Sequence, residues 1–577
     1  MNKIIIPQLK RRYNSVLHKD YRDLLNRAAK LYKDNIAFII KHKEKGEITY
    51  ENITFEAFRD DVNAIGTAMI KRGWHGKRIA VVGSNSYHWM ATFFATLCGV
   101  GTTVPLDKGL PYEELESCLV RSYAEVLVFD KGHKDLVAKL IEEGKTSVKE
   151  FICMNDLEGY TTLDDLRTEG KTELETGSTE YMEMPIDEHA ITILLFTSGT
   201  TSLAKAVMLS QYNIMSNIEA LMASEDIHSG DVNMAFLPYH HTFGSVGQTL
   251  MVAQGVTTAY CDGLKYLQKN LVEYKVSVFF CVPLLIESIY KKVMQNVKKQ
   301  GKEKTVAFGI KLSKFLLKFG IDIRRKLFKE ILDQLGGDIR FVISGAAAID
   351  PEALEGFKNF GISAVQGFGM TETSPVLTAE NLYEYRTGSI GHAMPGVEVA
   401  IENPDENGVG EIIARGPNVM AGYYENEEET AKTLIDGWMH TGDLGYADKD
   451  GYLFICGRKK NVIILKNGKN VYPEEIEVLF ANLDYVEECM VYGYQRKEDD
   501  PLDLAVGVKL VYKPDVMKEN FGAVTEEEIK AVVDKDIDKI NETMPTYKQI
   551  TRTIITDQPM VKTTTGKVKR FEETKNL

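Results

Sequence analysis

The chain has 577 residues, of which 44% are hydrophobic and 26% charged, as is typical of a globular protein with more than one structural unit. Its net charge of −14 argues against nucleic acid as a partner. No apolar run is long enough to span a membrane, and the seven scattered cysteines include no CxxC pair. We therefore expect a reduced cytoplasmic protein without disulfide bonds.

Strands alternate with long helical stretches, which indicates an α/β fold. Residues 78–85 (RIAVVGSN) are predicted to form a buried strand that a helix follows. Residues 397–401 and 408–416 are predicted to form a β-hairpin or a meander. The pattern changes again near residue 457, where a second αβ pattern begins.

Residues 194–211 (LLFTSGTTSLAKAVMLSQ) run from an apolar strand into a loop rich in Thr, Ser and Gly, with Lys205 at its edge. Backbone N–H groups, hydroxyls and one lysine suit phosphate oxygens. The spacing from Gly199 to Lys205, and Ala206 after the lysine, rule out a Walker A loop. Alone, this stretch is either an ordinary turn or a phosphate-binding loop.

Residues 291–329 contain thirteen Lys or Arg and two acids, a local charge of +11, so the remainder of the chain carries −25. Leu, Phe and Ile recur there at helical spacing with basic residues between them. A basic amphipathic helix of this kind can lie on the anionic inner face of a membrane. It could also attract a small anionic ligand, dock an acidic protein, or be a solvated face.

Eight motifs occur in a fixed order: FTSGTTSLAK, LPYHHTFG, SGAAA, QGFGMTETSP, WMHTGDLG, GRKKN, NGKNVYPEEIE and TTTGK. Over residues 20–572 the chain thereby resembles the adenylate-forming (ANL) superfamily of AMP-dependent synthetases and ligases, which includes acyl-CoA synthetases, luciferases and peptide-synthetase adenylation domains. Residues 264–345, with FFCVPLLIESIYKKVMQ before the basic stretch, are most similar to long-chain fatty acyl-CoA synthetases.

The resemblance implies a fold and a division of the chain. Residues 1–457 would form an N-terminal region of two α/β subdomains and a small β-barrel, with the ATP and acyl sites. Residues 458–460 would be a hinge centred on Lys460, and residues 461–577 a small α+β domain that rotates between two half-reactions. One face of that domain would present Lys567, and the other Gly468 and Lys469, near the entry of CoA.

The resemblance also implies a nucleotide site. The loop that starts at Thr197 would hold the β- and γ-phosphates, Phe368 would pack on adenine, and Thr371 would contact the α-phosphate. Asp443 and Arg458 would bind the ribose. The full set of implied ATP and AMP contacts is Thr197, Ser198, Gly199, Thr200, Thr201, Lys205, Gly345, Ala346, Ala347, Gln366, Gly367, Phe368, Gly369, Thr371, Asp443 and Arg458.

The loop departs from the family pattern TSGTTGxPKG, because Ser202 stands for Gly, Ala204 for Pro and Ala206 for the last Gly. These departures leave the exact ATP contacts open. They also suggest an alternative hypothesis of a different class, in which the protein is an inactive module that binds an acyl group or a nucleotide.

The implied catalytic residues are Lys567, Thr371, Glu372 and His241. Lys567 would stabilise the charge that develops during adenylation, and Glu372 would ligate Mg²⁺, a hard cation that takes oxygen ligands. The acyl site would include His241, Phe243 and Gly244. The adjacent His240 and His241 are not expected to bind a metal, since no Cys or carboxylate ligand lies near them in sequence.

The predicted enzyme is an AMP-forming acid–thiol ligase that uses ATP, Mg²⁺ and CoA to activate a long-chain fatty acid. The alternatives within this class are an acyl–acyl carrier protein synthetase and a ligase for an aryl or other carboxylic acid.

Overall fold

The predicted α/β architecture is present in a computed structural model, which describes residues 2–197, 204–347, 349–480, 483–497, 500, 503–562 and 568–575. The strands are β1 (Lys3–Ile5), β2 (Ile36–Glu44), β3 (Glu47–Thr54), β4 (Arg78–Val82), β5 (Thr102–Leu106), β6 (Val126–Phe129), β7 (Glu150–Cys153), β8 (Thr161–Thr162), β9 (Ile191–Thr197), β10 (Lys205–Ser210), β11 (Val232–Ala235), β12 (Thr257–Tyr260), β13 (Val278–Cys281), β14 (Phe341–Ser344), β15 (Ser363–Gly369), β16 (Val376–Ala379), β17 (His392–Ala393), β18 (Glu398–Glu402), β19 (Gly410–Arg415), β20 (Gly422–Tyr423), β21 (Leu434–Ile435), β22 (Trp438–Ala447), β23 (Leu453–Arg458), β24 (Ile463–Ile464), β25 (Asn470–Val471), β26 (Val486–Gln495), β27 (Leu504–Tyr512) and β28 (Ile550–Thr556).

The helices are α1 (Tyr21–Tyr32), α2 (Phe55–Lys71), α3 (Tyr87–Ala95), α4 (Tyr112–Ser122), α5 (Lys134–Glu143), α6 (Leu163–Glu175), α7 (Glu180–Glu183), α8 (Gln211–Ser224), α9 (Thr242–Ala253), α10 (Leu267–Glu273), α11 (Pro283–Lys299), α12 (Glu303–Leu317), α13 (Arg324–Leu327), α14 (Lys329–Gln334), α15 (Pro351–Asn359), α16 (Glu427–Thr433), α17 (Pro473–Phe480), α18 (Pro514–Phe521), α19 (Glu526–Glu542) and α20 (Arg570–Thr574). Short 3₁₀ turns at Thr371–Thr373 and Lys459–Asn461 matter for the site.

The first sheet has the strand order β20-β10-β9-β5-β4-β6-β7-β8 within the described residues. Its central strands, such as the predicted β4 (RIAVV) and β6 (VLVF), are continuous apolar runs, because helices cover both faces of a parallel sheet. β9 and β10 are antiparallel and pair Thr197 with Lys205, so the predicted phosphate loop connects two adjacent strands.

The second sheet has the order β17-β16-β15-β14-β13-β11-β12-β2-β3, and its strands are parallel from β15 to β2. One hydrophobic core includes Val81 and Ile193 from the first sheet and Val278 and Val365 from the second. The two sheets therefore form one packed body. Ligands of parallel α/β sheets bind beyond the carboxyl ends of the strands, so the ends of β9, β14 and β15 are where a site is expected.

The small β part predicted from sequence is an antiparallel sheet of β1, β18, β19, β22, β21 and β23. The predicted hairpin at residues 397–416 is confirmed as β18 and β19, which pair from Glu398–Arg415 to Glu402–Glu411. β22 and β23 pair next to it and bring Asp443 opposite Arg458.

The chain after residue 461 builds an α+β unit from the β24–β25 hairpin and the sheet β26-β27-β28. Its separate core includes Val491, Val508 and Ile537. The predicted fold class, a large N-terminal α/β region with a separate small C-terminal domain, is thus confirmed. In the part of the chain that the structure describes, no helix is both long enough and apolar enough to cross a bilayer.

Candidate active site

Glu372 lies in the short turn that follows β15, and this turn needs glycine at its start. A Cβ at Gly369 would lie 1.8 Å from the carbonyl oxygen of Pro375, so only glycine permits this close approach. The Glu372 side chain is buried, and its carbonyl oxygen accepts the N–H of Met420. The predicted magnesium ligand is therefore held rigidly at the end of a parallel strand.

Tyr423 is the main partner of Glu372, and the sequence analysis missed it. Its hydroxyl donates a hydrogen bond of 2.8 Å to Glu372 Oε1. Burial, followed by the charge of Glu372, raises the pKa of Tyr423 far above its usual value, so the phenol stays a donor. Tyr423 belongs to β20 of the first sheet, whereas Glu372 follows β15 of the second, so this bond connects the two sheets.

Lys205 is positioned by two groups that the sequence did not single out. Its ammonium forms an ion pair with Glu429 of α16 and lies 5.0 Å from the centroid of the Tyr423 ring. The bond from Lys205 lowers the pKa of Glu429, which therefore remains a carboxylate at neutral pH. The predicted phosphate-binding lysine thus lies beside the tyrosine that holds Glu372.

The loop itself is only partly described. Thr197 ends β9, and its hydroxyl lies 3.3 Å from the carbonyl oxygen of Lys205. Ala206 is buried in β10, where its carbonyl oxygen accepts the N–H of Tyr424, so a strand residue replaces the family's last glycine without strain. Ala204, which stands for the family's proline, is half-buried just before β10. The other loop residues predicted to bind ATP or to depart from the pattern lie outside the described residues: Ser198, Gly199, Thr200, Thr201 and Ser202.

Asp443 and Arg458 meet across β22 and β23. Arg458 Nε lies 2.8 Å from Asp443 Oδ1, and Arg458 Nη1 donates to the carbonyl oxygen of Thr441. Asp443 is buried, whereas the Arg458 side chain is 40% exposed. A buried carboxylate beside a partly exposed guanidinium can hold a ligand's hydroxyl groups.

Two groups of the predicted ATP and AMP contacts lie at the ends of β14 and β15. Gly345 is buried, while Ala346 and Ala347 are exposed, and Ala346 has φ of 72°. A non-glycine residue in this region is strained, and such residues cluster at ligand sites. Phe368 and Thr371 are half-buried. Among the predicted contacts, Gln366 instead uses its amide to donate to Ser389 O, and Gly367 packs against the backbone of β16.

A narrow pocket lies between β11, the start of α9 and β13. A Cβ at Gly244 would lie 2.1 Å from the carbonyl oxygen of Pro238, so glycine allows this loop to close over the helix start. The Phe243 and Phe280 rings meet edge to face at 5.9 Å. The pocket is mostly apolar, and its walls include Met234, Phe236, Leu237, Phe243, Gly244, Gly247 and Phe280.

The two histidines before α9 differ in their surroundings. His240 is buried, with Nε2 3.5 Å from Asp107 Oδ1. Burial, followed by the neighbouring His241, lowers the pKa of His240 to about 3. His241 is half-buried, and its carbonyl oxygen accepts the N–H of Gly244. His241 is two residues from Phe243 of the pocket wall, and its role in an acyl site stays a prediction.

Lys460 lies in the 3₁₀ turn after β23. Burial, followed by the charges of Arg458, Lys205 and Arg570, lowers the pKa of Lys460. Lys205, Arg458 and Arg570 are each paired with a carboxylate, of Glu429, Asp443 and Glu477, so basic and acidic groups alternate around Lys460.

Arg570 comes from the C-terminal unit, three residues after Lys567, and bonds Glu477. Lys567 itself lies outside the described residues. Gly468 and Lys469 form the exposed turn between β24 and β25, and Lys469 Nζ lies 4.4 Å from the centroid of the Tyr547 ring. Lys469, which is predicted to lie near the entry of CoA, therefore contacts a residue of its own C-terminal unit in this structure.

No cluster of three or more His, Cys, Asp or Glu side chains suited to a metal ion occurs among the described residues. Glu372 is a single, buried, oriented carboxylate. Such a site fits Mg²⁺ that arrives with nucleotide phosphates, since Mg²⁺ is commonly bound by one or two carboxylates plus phosphate oxygens.

The profile of the AMP-binding enzyme family matches residues 25–424, and that of the AMP-binding enzyme C-terminal domain matches residues 460–576. The chain belongs to the AMP-binding enzyme family. This AMP-binding enzyme is 34% identical over 347 residues to long chain acyl-CoA synthetase 6, peroxisomal, of Arabidopsis thaliana. That match covers 57% of this chain and 48% of the plant protein, so it spans about half the length of that relative.

A second relative matches over a longer stretch. The long-chain-fatty-acid–CoA ligase FadD15 of Mycobacterium bovis is 26% identical over 488 residues, 80% of each chain.

Among solved structures, an anthranilate CoA ligase in complex with anthranoyl-AMP aligns with a TM-score of 0.73 and 18% identity, covering 97% of this chain and 98% of that one. o-Succinylbenzoate CoA synthetase from Bacillus subtilis, with ATP and magnesium, aligns with a TM-score of 0.71 and 20% identity over 95% and 98% of the chains. These structures support the fold.

The substitution Tyr423→Phe is expected to weaken binding of Mg-ATP, because Glu372 loses the donor that orients it. A hydrogen bond to a charged group is worth about 1.5–3 kcal/mol, so the Kd should rise about tenfold or more. Titration calorimetry with Mg-ATP measures it. The adjacent Tyr424→Phe is the control, since the Tyr424 ring packs on the Arg78 guanidinium instead. An unchanged Kd in Tyr423→Phe, or equal losses in both variants, would contradict the assignment.

Because His240 is buried, we expect the free energy of unfolding of this protein to fall in acid. Its folded-state pKa of about 3 lies below its ordinary 6.5. Between these values the unfolded chain binds a proton that the folded chain does not, so stability falls as pH falls. The loss from this residue between pH 7 and pH 5 is about 2 kcal/mol.

Urea unfolding at pH 7 and pH 5 measures this loss. His240→Asn should unfold with a smaller pH dependence than the wild type, and the exposed His189→Asn should behave as the wild type does. The same pH dependence in all three proteins would refute the role given to His240.

Proposed function

We propose that this protein is an AMP-forming long-chain fatty acid:CoA ligase. The contact between Phe243 and Gly345 carries the proposal. Phe243 lines the apolar pocket, and its ring atoms lie 3.1 Å from the position that a Cβ would have at Gly345. Gly345 begins the turn assigned to the nucleotide. The pocket measures about 20 Å³ in this structure, so its walls would have to separate to admit an acyl chain, whose carboxylate would then lie near the nucleotide's α-phosphate. The names of the plant and mycobacterial relatives support a long-chain acid.

The reaction would take two steps. A carboxylate oxygen of the fatty acid attacks the α-phosphorus of ATP, the bond to the β-phosphate oxygen breaks, and pyrophosphate leaves. The sulfur of CoA then attacks the acyl carbon, AMP leaves, and the thiol proton is released. The protein supplies positioning and charge neutralisation rather than covalent chemistry.

Each residue group has a role in this scheme. Lys205 and the described start of the loop at Thr197 would face the departing pyrophosphate, and Thr371 the α-phosphate. Asp443 and Arg458 would hold the ribose. Glu372, oriented by Tyr423, would hold Mg²⁺, which when bound neutralises phosphate charge. His241 would lie beside the acyl carboxylate.

We also propose a domain rotation between the two steps. Residues 1–457 would form the N-terminal domain, 458–460 the hinge at Lys460, and 461–577 the rotating domain. Arg570, which follows Lys567 by three residues in sequence, lies close enough to lower the pKa of Lys460, and this supports a cleft that the C-terminal unit helps to form. Rotation would bring Gly468 and Lys469 to the cleft for the reaction with CoA.

The test of the proposed function is AMP release from Mg-ATP in the presence of CoA, with acids from acetate to oleate and with benzoate. The expected result is a maximum for long chains. Glu372→Gln is the control and should lose most AMP release. A preference for benzoate or acetate would overturn the proposal that the acid is a long-chain fatty acid. AMP release only with an acyl carrier protein in place of CoA would overturn the proposal that CoA is the acceptor.

Lys567→Ala should separate the two half-reactions. Adenylation should fall by about 10²–10³-fold, because a donor aimed at developing charge is removed. Thioester formation from preformed acyl-adenylate should change much less. Lys569→Ala, which removes a partner of Glu572, is the control and should affect neither step. Equal losses in both half-reactions would exclude this role for Lys567.

Gly247→Leu should shift the chain-length preference. Gly247 lines the pocket, and a Cβ there would lie 3.9 Å from the Phe280 ring, an ordinary contact. Leucine would occupy the space of the acyl chain, so activity with oleate should fall about tenfold or more relative to hexanoate. Gly247→Ala, which fits, should keep the wild-type preference. A uniform loss for all acids in Gly247→Leu would argue that the pocket does not hold the chain.

A further inference from the structure

Helix α12 exposes a continuous apolar stripe to solvent. Phe308, Leu312, Phe315 and Phe319 follow one another at spacings of four, three and four residues, which places them on one side of the helix and its C-terminal extension. The exposed fractions of Phe308 and Phe319 are both 67%. The Phe315 and Phe319 rings contact each other at 5.2 Å. We call these four side chains the α12 stripe.

The opposite side of α12 attaches the helix to the protein. Val306, Gly309 and Ser313 are buried, and a Cβ at Gly309 would lie 3.1 Å from Leu327 and 3.2 Å from Phe328. The helix is therefore anchored by one face, and the aromatic stripe is the outer face. A soluble monomer rarely exposes a contiguous apolar surface of this kind without a binding role.

The charges beside the stripe are basic. Lys304, Lys311 and Lys318 are exposed and lie along one flank of the stripe by helical spacing. They belong to the segment of residues 291–329, whose charge is +11 in a chain of −14. The rest of the protein carries −25 and is repelled by an anionic surface. This segment is therefore the part that an anionic surface attracts.

We infer that the α12 stripe and its flanking lysines dock this protein onto an anionic phospholipid bilayer. The stripe would insert among the acyl chains while the lysines contact lipid phosphates, as for an amphipathic helix that lies in a membrane interface. An acidic protein would satisfy the lysines but not four exposed apolar side chains, which is why the bilayer is the better fit.

The docking helix is connected in the chain to a wall of the pocket through one helix, α11. Phe280 of β13 lines the pocket, α11 begins three residues later at Pro283, and α12 follows α11 after a short turn. The first turn of α11 also exposes Leu284, at 73%. If the protein docks on a bilayer, a fatty acid could enter from the bilayer. This consequence rests on the proposed function, whereas the docking itself does not.

The experiment is co-sedimentation of the full chain with vesicles of phosphatidylcholine alone or mixed with phosphatidylglycerol, without substrate. The wild type should sediment with anionic vesicles and far less with neutral ones. The triple variant Lys304→Gln, Lys311→Gln, Lys318→Gln should bind anionic vesicles about 100-fold more weakly, since each surface lysine contributes roughly fivefold. The triple variant Phe308→Ser, Phe315→Ser, Phe319→Ser should also lose binding.

The matched control is Phe521→Ser with Phe571→Ser, which removes two exposed aromatic side chains from the C-terminal unit. It should bind vesicles as the wild type does. Each variant is first checked for a wild-type circular dichroism spectrum and urea-unfolding midpoint, so that misfolding is recognised without reference to activity. Equal binding to both vesicle types, no binding to either, or equal losses in the control would overturn the proposal. A protein without ligase activity that still binds anionic vesicles would contradict the proposed function and leave docking intact.

Discussion

The hydrogen bond from the Tyr423 hydroxyl to Glu372 joins the two large sheets at the cleft, and the other site groups are positioned around it. Tyr423 enters from the edge strand of the first sheet, and Glu372 from the turn after β15 of the second. The same tyrosine ring lies under the Lys205 ammonium, which Glu429 holds from the other side. A change in the relative position of the sheets would therefore displace Glu372, the predicted magnesium ligand, from both Tyr423 and Lys205, the predicted phosphate-binding lysine.

Charge explains why this cleft suits a nucleotide. Lys205, Arg458, Lys460 and Arg570 are close enough that three of them lower the pKa of the fourth, Lys460. Glu429, Asp443 and Glu477 pair with Lys205, Arg458 and Arg570, and their carboxylates partly offset the repulsion among the cations. A polyphosphate bound in the cleft would offset it further. Because the cations come from both sides of the predicted hinge, the nucleotide would also hold the domains in one arrangement.

The fold and the order of the site segments could be predicted from the sequence. Many of the side-chain contacts within the site could not. Apolar strand runs and the ordered motifs predicted the α/β sheets, the β18–β19 hairpin and the separate C-terminal unit, because these depend on local pattern. Tyr423 and Glu429 were missed, because AGYYENEEET has no motif and their partners are distant in sequence. The basic segment at 291–329 was recognised by charge, but only burial showed that the Phe side chains of α12 face outward.

The central claim is that this protein forms an acyl-adenylate, and exchange of labelled pyrophosphate into ATP tests it most directly. The assay contains enzyme, Mg-ATP, pyrophosphate and oleate, and no CoA. The account predicts exchange that requires the acid and proceeds without CoA, since adenylation is a complete, reversible step. Absence of exchange with every carboxylic acid tried would contradict the account and would favour a protein that binds nucleotide without activating an acid.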